Sequence, residues 1–92
     1  MSKYLKAWTA FNGVSKGAVA RLAGVDATHM GRIIEGRHKL TLDVARKIAY
    51  AFGSEIDAEK LYQDIGHYTP EDEGLRQALG RAAADYDRQL GE

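Results

Sequence analysis

Between Ser15 and Gly36 the sequence has room for two short helices and a three-residue turn, and for little else. Ser15 stands as an N-cap for a segment over residues 16–23 with Val19, Ala20 and Ala23 inward. Gly24 follows where a left-handed residue ends a helix at low cost. Asp26 caps a second segment from Ala27 to about Glu35, whose apolar residues are Met30, Ile33 and Ile34, and Gly36 ends it. Ala20 falls where the two segments would cross, and only a small side chain there lets the backbones approach.

Helical periodicity continues on both sides. Leu5, Trp8 and Phe11 recur at spacing three on a first segment that stops at Asn12-Gly13. After a basic loop, Arg37-His38-Lys39, Thr41 or Asp43 opens a helix carrying Val44, Ala45, Ile48 and Phe52, closed by Gly53. A short fifth helix is expected over about 56–65, with Leu61 and Ile65 inward. Thr69-Pro70-Glu71-Asp72-Glu73 then combines an N-cap, a first-turn proline and three acids at the positive end of a helix dipole. The helix it starts places Leu75, Leu79, Ala82, Ala83, Tyr86 and Leu90 on one stripe, with Gly74 and Gly80 as weak points. Strand-like alternation is absent. The expected fold is all-α: a five-helix domain over 1–66 and a C-terminal acidic amphipathic helix over 67–92.

A chain of 92 residues buries a thin core. With no cysteine, disulfides and thiolate metal sites are excluded, and a reducing, cytoplasmic setting is expected. The opening residues lack a signal peptide's apolar run, and nothing approaches a membrane span, so no membrane partner is expected. The net charge is zero, but it divides unevenly. Residues 1–54 hold nine basic against three acidic residues, a net of +6, and residues 55–92 carry −6. Such a split hints at a polyanion-binding part joined to an acidic part. His29, His38 and His67 fall on three different elements without ligand spacing, and Glu71, Asp72 and Glu73 read as helix-start charge. Neither catalysis nor a metal or other cofactor is expected.

Two helices of about eight and nine residues around Gly24-Val25-Asp26 have the spacing of a helix-turn-helix. From Leu5 to Gly53 the sequence resembles the Cro and lambda-repressor-like (XRE) DNA-binding domains. The residues that carry the resemblance are Leu5, Gly13, Ser15, Ala20, Gly24, Val25, Met30, Ile33, Gly36, Leu42, Asp43, Ala49, Phe52 and Gly53. Val19 to Val25 is also similar to the headpiece of lactose-repressor-type regulators. The resemblance implies that the second helix of the pair enters the major groove of double-stranded DNA with Ala27, Thr28, Gly31 and Arg32 toward the bases. Arg32 would pair with guanine O6 and N7. Lys16, Arg37, His38 and Lys39 would contact phosphates at the two edges. Three departures stand out. Lys16 replaces a common glutamine, Gly17 weakens its helix, and Thr9 replaces an arginine that usually pairs with the end of the recognition helix. Glu35, close to this surface, is expected to point away or to pair with a neighbouring base such as Arg32.

The acidic helix has three expected roles. It could pair with its copy in a homodimer through Leu75, Leu79, Tyr86 and Leu90, fold back on helices one and five, or bind another protein. The first gives a dimeric, sequence-specific transcriptional regulator of the repressor kind on a near-palindromic operator. The last gives an antitoxin-like or antirepressor module with secondary DNA binding.

Overall fold

The computed structural model describes residues 3–65 and 73–91, and the chain is all-α. The helices are α1 (Lys3–Asn12), α2 (Lys16–Ala23), α3 (Ala27–Ile34), α4 (Leu42–Phe52), α5 (Ala58–Gln63) and α6 (Glu73–Gly91), with a 3-10 turn at Gly53–Glu55. Thr69 to Asp72 and His67, which carried expectations above, lie outside the described residues. No helix among the described residues is long and apolar enough to cross a membrane.

Local chemistry places α2, α3 and α4. Ser15 accepts from Ala18 N at 3.1 Å, Asp26 from His29 N at 3.1 Å and Thr41 from Val44 N at 3.3 Å, each satisfying a first-turn donor. Of the two openings considered for α4, Thr41 is the cap. Gly24, at φ 70°, ends α2 in the left-handed region. The inward residues of these helices are those expected: Val19, Ala20 and Ala23, then Met30, Ile33 and Ile34, then Val44, Ala45, Ile48 and Phe52 are all buried.

The first helix corrects one expectation. Leu5 and Trp8 are buried, but Phe11 is 91% exposed and Thr9 takes its place inside. At about 100° per residue, Phe11 lies about 120° around the helix from Leu5 and Thr9 about 40°. Repeated spacing of three therefore walks off the buried face. The Thr9 hydroxyl is satisfied by donating to the Lys6 carbonyl at 2.9 Å.

Long-range polar contacts fasten α1 to the segment around α5. Asp64, buried, accepts from Leu5 N at 2.8 Å and Tyr4 N at 3.2 Å, two first-turn donors of α1. Trp8 Nε1 donates to the Glu55 carbonyl at 2.9 Å, and Asp57 N donates to the Tyr4 hydroxyl at 2.7 Å. Trp8 also meets Phe52 edge-on, with ring centroids 4.8 Å apart. In the fifth helix Tyr62 is fully buried alongside Leu61. Ile65 closes the segment in a lone parallel bridge to Leu40.

The last helix lies across α4, α5 and the 3-10 turn, not across α1. Leu75 and Leu79 are buried there. Of the residues expected in a homodimer contact, Leu75, Leu79, Tyr86 and Leu90, the first two are covered by the chain itself. Tyr86 is half-buried, its ring 6.3 Å from that of Tyr50, and Leu90 is 69% exposed. Two hydrogen bonds fasten the C-terminal half of α6. Asp87 Oδ1 accepts from Ser54 N at 3.0 Å, and the Tyr50 hydroxyl donates to Gln89 Oε1 at 2.7 Å.

Candidate nucleic-acid interface

Burying Met30, Ile33 and Ile34 leaves the opposite side of α3 to solvent. Ala27, Thr28 and Arg32 are exposed on it, and Gly31 is half-buried. A Cβ at Gly31 would lie 3.9 Å from the stem of Lys16, so α2's first residue runs alongside the middle of α3. Ala27, Thr28 and Gly31 form a low surface, and Arg32 supplies a long cation with no ion pair among the described residues.

The loop after α3 is folded back on the helix end. Gly36, at φ 81°, turns the chain, and Arg37 N and His38 N both donate to the Arg32 carbonyl, at 2.8 and 3.3 Å. Arg37 and His38 are consequently held exposed beside the end of α3, and Lys39 after them is exposed too. The His38 ring meets the half-buried His29 ring at 5.5 Å between centroids. These two histidines thus come together in space although their spacing gave no sign of it. Among the described residues no cluster of three His, Cys, Asp or Glu side chains could hold a metal ion. Lys39 also borders an apolar groove of about 460 Å³ lined by Leu40, Leu42, Ile65 and Leu75.

Glu35 pairs with a neighbouring base, as one of its two expected placements had it, but with other partners than the one named. It pairs not with Arg32 but with Lys16, Oε1 to Nζ at 2.5 Å, and with Arg37, Oε2 to Nε at 3.5 Å. The hydrogen bond from Lys16 and the charge of its ammonium hold the Glu35 carboxyl below the usual glutamate range, with a smaller contribution from Arg37. Lys16 lies nineteen residues from Glu35 in sequence, so no spacing along a helix signalled the pair.

The result is one open face. Arg32, His38 and Lys39 stand free of ion pairs among the described residues, while Lys16 and Arg37 are tied to a carboxylate between them. Such a face can present donors to a polyanion and a slim helix to a groove. No protein-family model, curated protein or solved structure matches this chain.

Proposed function

We propose that this chain is a DNA-binding regulator that inserts α3 into the major groove. The observation that supports the reading is the α2–α3 pair itself. Its second helix is short, capped and exposed along Ala27, Thr28 and Arg32, and it is bordered by Lys16, Arg37, His38 and Lys39. An α-helix fits the major groove, and an arginine fork reads guanine O6 and N7 there. Exposed lysines and arginines at the edges contact phosphates and set the register. Sequence-specific occupation of a near-palindromic operator, and through it repression, is the expected consequence. Since Leu75 and Leu79 lie inside the fold, two copies on one operator would meet through some other surface.

The test is titration of a labelled duplex carrying the region upstream of the protein's own gene, beside a scrambled duplex, at two salt concentrations. Binding at least about a thousandfold tighter to the first, and steeply weakened by salt, supports the reading. Arg32→Ala should then lose discrimination while the fold stays intact, by about 1–3 kcal/mol at the base pair it reads. Equal, weak binding to both duplexes overturns sequence-specific recognition.

A further inference from the structure

Glu35 stands between two cations on an open rim. Lys16 begins α2 and Arg37 lies in the loop after α3, so the carboxylate bridges the two edges of the exposed face. All three side chains are accessible, at 47% for Lys16, 74% for Arg37 and 40% for Glu35. Arg32, in the last turn of α3, lies three residues before Glu35 at the helix's C-cap, a spacing at which side chains commonly pair, yet it is spared. The carboxylate thus neutralises two rim cations and leaves the cation on the groove-facing side free.

Resting on the DNA-binding reading, we infer that Glu35 is an internal competitor for duplex phosphates: it occupies Lys16 and Arg37 in the free protein and lowers the sequence-independent part of the affinity. An exposed ion pair is weak, so phosphates can displace the carboxylate from either cation. The displaced carboxylate remains at the rim and repels them. Phosphate attraction grows with the number of cations that release counterions from the duplex, and two of this face's cations are already neutralised. Arg32 is outside the competition, so the carboxylate weakens backbone attraction and leaves base contact untouched.

The experiment measures full-length wild type, Glu35→Gln and Asp85→Asn on a mixed-sequence duplex by fluorescence anisotropy. Asp85 pairs with Arg88 on α6, so its amide variant removes an equal charge from a helix outside the proposed face. Glu35→Gln should tighten binding by roughly three- to tenfold at about 50 mM salt and steepen the log–log salt dependence by about one per freed cation. Asp85→Asn should leave the slope unchanged. In a Lys16→Gln background the effect of Glu35→Gln should fall by about half, a check that also applies if the single variant folds poorly. Equal tightening by Asp85→Asn would reduce the effect to net charge and overturn the inference. An unchanged Glu35→Gln slope with normal wild-type binding overturns it too, leaving the DNA-binding reading standing. Absence of binding by wild type and every variant overturns both.

Discussion

Replacing Asp64 by alanine removes a helix cap supplied from 59 residues away in sequence. Its carboxylate accepts from Leu5 N at 2.8 Å and Tyr4 N at 3.2 Å, and Leu5 is fully buried. Alanine leaves both first-turn donors of α1 without this acceptor. A buried donor left without a partner costs about 1–3 kcal/mol, and release of the carboxylate from its buried site offsets part of the cost of two such donors. A net loss of about 2 kcal/mol follows, at the upper end of N-cap removals. For a domain of this size that lowers Tm by about 8–16 °C. Urea unfolding followed by the fluorescence of buried Trp8 measures it, with the slope against denaturant unchanged. A loss below about 0.5 kcal/mol, the range of ordinary surface substitutions, would refute the idea that Asp64 caps α1. The pH dependence carries a sign. Burial raises the Asp64 pKa, against the opposing backbone hydrogen bonds from Leu5 and Tyr4. The folded chain therefore holds this proton more tightly than the unfolded chain. The advantage of the native chain over Asp64→Ala should grow as pH falls through the raised folded value toward the unfolded one. An advantage that shrinks on acidification would mean that the hydrogen bonds outweigh desolvation.

The remaining predictions concern packing and charge. Gly53 sits at φ 53°, ψ −131°, and a Cβ there would collide with the Tyr86 ring and lie 2.6 Å from Asp87 Oδ1. Gly53→Ala should cost at least about 1–3 kcal/mol in backbone strain and speed amide exchange in the C-terminal half of α6; normal protection there would count against the contact. Trp8→Ala should cost about 3–5 kcal/mol and Phe11→Ser less than about 0.5, a contrast that thermal melts resolve and that reverses if Phe11 faces the core. Leu79→Ala should cost about 2–5 kcal/mol without changing the oligomeric state in sedimentation; dissociation of a dimer would contradict burial within the chain. For Glu35 the sign is opposite to Asp64: its stabilising effect is complete above the unfolded pKa and is lost as pH falls through the lowered folded value. Acid titration of Glu35→Gln against wild type should show that loss in wild type alone, and more weakly at high salt.

The helices of the central pair were readable from short-range chemistry. Ser15, Asp26 and Thr41 each cap within three residues, and Gly24, Gly36 and Gly53 turn the chain with positive φ where they stand. Interactions that close within one turn need no knowledge of the rest of the molecule, and the inward faces of α2, α3 and α4 followed from the same 3.6-residue period. The exposed residues of α3 were legible for that reason, since a helix with one buried face presents the other. What packs against a face is a different matter. Phe11 and Thr9 both fit a helical first segment, and the face that Leu5 and Trp8 bury decided which went inside. Asp64 looked like one more acid of the acidic half until folding brought it under the start of α1. The stripe on α6 suited a partner chain as well as its own, and packing against α4 and α5 covered its first two leucines. Glu35 had Arg32 within reach along its helix, but α2 delivered Lys16 across the turn. An apolar stripe or a charge specifies only that something complementary must cover it. Which element does so depends on where the chain, folded as a whole, places its distant parts.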